Sequence, residues 1–337
     1  MSAKKTEKNS QELDHKKQEE KWVANYIKTR DDVKIVSFEA TNDGKIRKIE
    51  ASECSWLGEG DELTPKLLRQ RIEPWLSSLF QSEHLSLLAG SGLTHAVSYL
   101  AVGGKAAGME APAFTGFNSA ITSEAESSAK KAGREKANFE DIIRVANELL
   151  RGLIILGYEP DSKFGLEPLL ESDSLYVEIE KHIRRFAEQI LIAENNIACA
   201  DEAKRMIAFN TLINFLMSFA SRSGTRDRLN IFTTNYDRLI EAGAEFAGLH
   251  LLDRFLGNLM PIFRSSRLDL DMHYNPPGIR GEPRYLEGVA RLTKLHGSVD
   301  WVQTGKDIRR IGLPFGAESV DHYLKTPALR GADALKL

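Results

Sequence analysis

Cysteine is nearly missing from this sequence: Cys54 and Cys199 are the only two in 337 residues. Two thiols so far apart cannot supply the four ligands of a structural zinc, and no C-x-x-C occurs. They cannot form a disulfide framework either, so a reducing, cytoplasmic setting is expected. Long hydrophobic runs are absent too. Nothing approaches the roughly 20 apolar residues that span a bilayer, and the charged N-terminus lacks the apolar centre of a signal peptide. No membrane partner is therefore expected. An excess of one charge sign is also lacking. The formal net charge is −3, whereas a dedicated nucleic-acid-binding module is normally basic, so direct nucleic-acid binding is not expected. Two common phosphate-binding patterns are missing as well. No Gly-Lys-Ser/Thr stands where a Walker A loop needs it. The dinucleotide pattern G-x-G-x-x-G is only half filled, by Gly90 and Gly92, with His95 in the third glycine's place.

What is present is a globular composition, with 42% hydrophobic residues and a length that suits one large domain or two smaller ones. Residues 1–24 are rich in Lys, Glu, Gln and Ser and read as a solvated, disordered tail. Residues 25–60 read as a small β appendage. Within it Val33–Ala51 carries alternating apolar residues around the turn signal Asn42-Asp43-Gly44. Thr64–Phe80 has helical apolar spacing. The stretch 103–138 is poor in bulky apolar residues and reads as a long loop, either a mobile lid or disorder. Residues 139–155, 175–192 and 203–220 each carry a 3.6-residue apolar stripe, and their plainest reading is helices that bury one another.

The chemistry gathers in three stretches. In Leu85–Thr94 an apolar strand runs into Gly90-Ser91-Gly92, with a helix expected near Thr94. Glycine admits a close ligand, and a helix N-terminus favours a phosphate. Leu229–Asp237 is a second apolar strand, ending in Thr233-Thr234-Asn235-Tyr236-Asp237, with a helix expected at about Arg238. Leu292–Trp301 is a third, ending in His296-Gly297-Ser298. Catalytic groups often collect at such carboxyl ends of parallel strands. Taken singly, each stretch has a plain structural reading: a strand–turn–helix corner, a capping Asn–Asp pair and a structural histidine.

Taken together and in order, Gly-Ser-Gly-Leu-Thr, Thr-Thr-Asn-Tyr-Asp and Lys-Leu-His-Gly-Ser resemble the sirtuin superfamily. That superfamily carries G-A-G-x-S, T-Q-N-x-D and H-G. The likeness is greatest to the sirtuin-like NADase domains of bacterial anti-phage defence proteins, and it covers roughly residues 60–305. It implies an α/β fold: a Rossmann-like parallel sheet with an α-helical insert at about 139–220 and a small N-terminal β appendage, the sirtuin-like domain running over 61–337. It implies NAD as substrate, cleaved to nicotinamide and ADP-ribose. Asn235 and His296 are then catalytic, and Ala89, Gly90, Ser91, Gly92, Thr94, Thr234, Asp237, Gly297 and Ser298 bind the dinucleotide.

The departures sharpen that expectation. Thr234 stands where deacylases have glutamine. Their Pro-Asp-Phe-Arg segment and their cysteine-bound zinc module are both absent, so no zinc is expected and hydrolysis of free NAD is favoured over protein deacylation. Further sheet strands follow the His-Gly motif in the family. Here a short tail containing Gly312–Gly316 follows, so either the sheet is completed differently or the chain is a truncated form. A module that binds NAD or ADP-ribose without turnover, within a defence complex, stays open as the rival reading. By resemblance a homo-oligomer is expected, with a HerA-type ATPase as a candidate partner.

Overall fold

The computed structural model describes residues 22–28, 32, 34–41, 45–48, 56–57, 63–106, 111–158, 165–223, 226–266, 270–278 and 284–319. The chain divides after Ser82 into two units. The first holds strands β1 (Val23–Ile27), β2 (Val36–Ala40) and β3 (Ile46–Lys48), joined as an antiparallel sheet in that order, and helix α1 (Pro65–Phe80). The β2–β3 pair is the expected hairpin, and its turn at 42–44 lies outside the described residues. Strand β1 corrects the tail reading at its last two residues. Val23 and Ala24 pair with Ala40 and Glu39, so neighbouring β2 satisfies backbone groups that a tail would leave to water. Helix α1 begins where its chemistry says it should: Thr64 Oγ1 accepts from the Leu67 N–H at 3.3 Å, and Pro65 takes the first turn.

The second unit begins with β4 (Ser86–Ala89) and α2 (Ser91–Val102). Four more helices follow before the next strand: α3 (Asn118–Lys131), α4 (Phe139–Gly157), α5 (Glu167–Ala198) and α6 (Glu202–Ala220). Then come β5 (Leu229–Thr233), α7 (Leu239–Ala247), β6 (His250–Leu252), β7 (Phe255–Leu256), β8 (Ile262–Phe263), β9 (His273–Tyr274), β10 (Arg284–Tyr285), β11 (Val289–Lys294), β12 (Trp301–Thr304) and β13 (Asp307–Arg310). The class is mixed α/β. Strands β4-β5-β11-β6 form a four-stranded sheet in which every pairing is parallel.

Register places one side chain of every second residue on a common face. Leu87 and Ala89, Ile231 and Thr233, Leu292 and Lys294 lie side by side there, and all are buried. The opposite face is more open: Leu88 is 71% exposed. A parallel strand covered on both sides would bury every residue. The apolar run 85–89 thus overstates how deep this strand lies.

Helix α2 starts at Ser91, three residues before the expected Thr94. Gly90 is its extended cap, at φ −118° and ψ −164°, with no side chain satisfying the first N–H groups. The stretch 103–138 is also corrected, because α3 occupies its centre. Ile121, Ala125 and Ala129 recur at helical spacing and are fully buried, and the first two pack with Ile142, Val145 and Ala146 of α4. Small residues let the two helices approach closely, which is why a search for bulky apolar residues passes over them. Helices α4, α5 and α6 agree with the three expected stretches, though α5 runs to 32 residues.

Beyond His296 the chain leaves the parallel sheet. Gly297 turns it at φ 101°, in the left-handed region that favours glycine. Strands β12 and β13 then join an antiparallel sheet in the order β12-β13-β8-β7. Trp301 packs edge-on against Phe255 there, with ring centroids 5.0 Å apart. Among the described residues, the strands after β11 join this antiparallel sheet and not the parallel one.

Candidate active site

The carboxyl ends of β4, β5 and β11 open on one cavity of about 330 Å³. Six of the residues expected from sequence line it: Ser91 and Thr94 from α2, Thr234, Asn235 and Asp237 from the turn after β5, and His296 from the turn after β11. The parallel register makes this meeting possible. Ala89 lies beside Thr233 and Thr233 beside Lys294, so all three strands end at the same level.

Asn235 is held from two sides. Its Nδ2 donates to the Gly90 carbonyl and to Thr94 Oγ1, each at 2.9 Å. A carbonyl only accepts, so the amide nitrogen must face it, and Oδ1 remains as the acceptor. Thr94 passes its own proton on, donating to Asp237 Oδ2 at 2.5 Å. Asp237 Oδ1 accepts from the Leu239 N–H at 3.2 Å, at the start of α7, where the helix dipole favours a carboxylate. Lys294 Nζ donates to the Asp237 carbonyl at 2.5 Å and pairs with Glu241 at 2.9 Å. Asn235 is itself buried, and its backbone N–H reaches Thr233 Oγ1 at 3.0 Å. The result is a continuous chain from Asn235 through Thr94 to Asp237.

His296 meets residues from the helical insert. Its Nδ1 stands 2.7 Å from Glu140 Oε1, and the Tyr236 hydroxyl donates to that same oxygen at 2.8 Å. Burial, with the adjoining Glu140 carboxylate, pushes the Tyr236 phenol well above its usual value. Glu140 sits in the first turn of α4, whose start is closed by a reciprocal cap. Asn138 Oδ1 accepts from the Asp141 N–H at 2.9 Å, and Asp141 Oδ2 accepts from the Asn138 N–H at 3.0 Å. Arg134 grips Asp141 with two bonds of 2.6 and 2.7 Å, and this pairing holds the Asp141 carboxyl below its usual range. Phe139 stacks on Phe186 at 4.3 Å, and Phe186 meets Tyr236 edge-on at 5.3 Å.

The far wall is α5. Phe186, Ile190, Ala193 and Ile197 give it an apolar lining, and Glu194 is its charged exception. Only 1% of Glu194 is exposed, and its carboxylate pairs with Arg238 at 2.5 Å while accepting the Arg238 N–H at 2.7 Å. Burial pushes the Glu194 carboxyl upward, and Arg238 opposes that shift. The guanidinium also reaches the carbonyls of Leu313 and Pro314.

The remaining expected residues lie elsewhere. Ala89, Gly90 and Gly92 line a second, mostly apolar cavity of about 370 Å³ with Leu88, Ala208 and Leu212, although the Gly90 carbonyl still serves Asn235. A Cβ on Gly92 would meet nothing within 4 Å. Ser298 is fully buried, and its hydroxyl donates to the Tyr236 carbonyl at 3.3 Å. Gly297 supplies the left-handed turn. Sequence reasoning missed Glu140, Tyr236, Glu194 and Arg238. The sequence around Glu140 signals a helix start at Asn138, which gives no hint of a histidine 156 positions away. The insert helices do bury one another, and they also wall the cavity.

No protein-family model and no curated protein matches the chain.

Proposed function

We propose that the chain is a sirtuin-like NAD-cleaving enzyme with a Rossmann-like core, which hydrolyses NAD to nicotinamide and ADP-ribose. The observation that carries this reading is the convergence of Asn235, Asp237 and His296, with Thr94, on one cavity at the ends of three parallel strands. Three motifs matched in order by resemblance are brought together in space. The start of α2 is capped by Gly90 without a side-chain hydrogen bond, and Ser91 of its first turn lines the cavity, an arrangement suited to a pyrophosphate.

Cleavage of the nicotinamide–ribose bond builds positive charge on the sugar, as in glycoside hydrolysis. The bond's electron pair stays with the nicotinamide nitrogen, which leaves as a neutral ring. Water bonds to the ribose carbon, and its proton passes to a base and then to solvent. Asn235 suits the first demand. Its amide is fixed by two donor bonds, which leaves the negative end of the dipole, Oδ1, to face developing positive charge without reorganising. His296 suits the second, since a neutral imidazole accepts a proton near pH 7.

The cellular role as an anti-phage effector, with assembly into an oligomer and a HerA-type ATPase partner, rests on the resemblance. Among the described residues no helix is long and apolar enough to cross a membrane.

The deciding experiment incubates purified protein with NAD and follows nicotinamide and ADP-ribose. Release by the wild type, lost in Asn235→Ala and His296→Ala, supports hydrolysis. Saturable NAD binding with no products supports the binding module instead. Absence of both overturns the reading.

A further inference from the structure

We propose that Glu140 is the positioning residue for His296: by accepting the Nδ1 proton, the insert carboxylate holds the imidazole in the tautomer whose Nε2 is free to act as a base. A carboxylate oxygen only accepts. Glu140 Oε1 lies 2.7 Å from His296 Nδ1, so that nitrogen must carry the hydrogen. In a neutral ring the lone pair then belongs to Nε2. Free imidazole side chains prefer the opposite tautomer, with the proton on Nε2. The contact therefore selects the less common form, and it is the form a base at Nε2 requires.

The carboxylate is built to stay where it is. Its Oε1 also accepts the Tyr236 hydroxyl at 2.8 Å, which fixes its direction from a second side. Its helix start is locked by Asn138, Asp141 and Arg134. A carboxylate in the first turn of a helix is further stabilised by the dipole. The stack of Phe139 on Phe186, and the edge-on contact of Phe186 with Tyr236, tie α4, α5 and the strand-end turn into one wall. The imidazole is thus oriented by the helical insert, which supplies a third member to the histidine's environment. Carboxylate–histidine pairs elsewhere work in this way, by fixing tautomer and ring orientation.

The catalytic consequence rests on the NAD-cleavage reading, whereas the tautomer does not, and the test separates them. His296 is read by nitrogen NMR of histidine-labelled full-length protein at a pH where the ring is neutral. The wild type is expected to show the Nδ1–H tautomer. Glu140→Ala is expected to revert to Nε2–H, while Glu140→Gln, which keeps an acceptor oxygen, retains the wild-type signature. Tyr236→Phe, which removes a donor to Glu140 and leaves the ring in place, also keeps it. In NAD hydrolysis, Glu140→Ala is expected to lose about 10² to 10⁴ in kcat with KM little changed, the range for losing an oriented general base, and Glu140→Gln to recover part of that loss. An unchanged tautomer in folded Glu140→Ala overturns the proposal even if NAD is cleaved. Equal losses of kcat in Glu140→Ala and Glu140→Gln, or a loss confined to KM, also overturn it. If the wild type releases no nicotinamide, the hydrolysis reading fails, and the tautomer response alone decides whether Glu140 positions His296.

Discussion

Thr94 and Asn235 stand 141 positions apart in the chain, and their side chains meet at 2.9 Å. The threonine hydroxyl receives one proton from Asn235 and gives its own to Asp237. It joins the helix after β4 to the turn after β5, so the orientation of the Asn235 amide depends on it.

Thr94→Val replaces that hydroxyl with a methyl of similar size and breaks both links. NAD hydrolysis is expected to fall by about 10- to 100-fold, the worth of hydrogen bonds to a charged network. Thr94→Ser keeps the hydroxyl and is expected to stay near wild type. Steady-state nicotinamide release compares the pair, and equal rates for Val and wild type would remove Thr94 from the site.

Asn235→Ala removes the preorganised dipole itself. By analogy with loss of one oriented group in an acyl-transfer site, kcat is expected to drop by roughly 10²- to 10³-fold. Asn235→Asp keeps an acceptor oxygen but donates neither bond, and sets a carboxylate oxygen against the Gly90 carbonyl, so it is expected to recover little of that loss. Thermal unfolding should show both variants folded but less stable than the wild type, because Asn235 is buried and the Gly90 carbonyl and Thr94 hydroxyl lose its donor.

Arg238→Met strands the buried Glu194 carboxylate. Breaking a buried ion pair from one side typically costs about 3–5 kcal/mol. The double variant Glu194→Leu, Arg238→Met is expected to recover much of that loss. It should still fall short of wild type, because the Leu313 and Pro314 carbonyls lose their donor. Burial pushes Glu194 upward, so the single variant's deficit should shrink as pH falls and the carboxyl takes up a proton. Urea unfolding at several pH values checks both statements.

Asp141 titrates in the other direction. Its carboxyl is depressed first by Arg134 and then by the Asn138 N–H, with burial opposing. A depressed carboxyl stabilises the fold at pH above the unfolded value, about 3.9 for Asp, and loses that effect as pH falls through the folded value. Asp141→Asn is therefore expected to be less stable than wild type at pH 7, with the gap closing below about pH 4, the reference value again being that of a free Asp. The cap also carries Glu140, so nicotinamide release should fall with the same substitution at pH 7.

Chelation tests the expectation that zinc plays no part. Dialysis against EDTA should leave melting temperature and nicotinamide release unchanged. Among the described residues no three His, Cys, Asp or Glu side chains are grouped so as to hold a metal ion. A fall in either quantity that added zinc reverses would contradict the expectation.

The sequence by itself determined the three strand ends and the polar residues that follow them. The strand-like stretches give way at Gly90, at Thr233-Thr234 and at His296, and short-range patterning is enough to read where a strand meets a polar turn. It also located helical stretches at 139–155, 175–192 and 203–220, because amphipathic periodicity is a local property, although the second belongs to a helix that runs over Glu167–Ala198. Only the tertiary structure decided that these ends form one cavity, since parallel register is set by pairing across long loops. Nor could the sequence show α3 within 118–131: its buried stripe is mostly alanine, and its burial depends on α4 lying against it. Leu88 makes the converse point, an apolar residue in a strand that the fold leaves largely exposed. Glu140 was hidden for the same reason. A carboxylate in a helix cap reads locally as a helix start, and only packing of the insert brings its oxygen to His296.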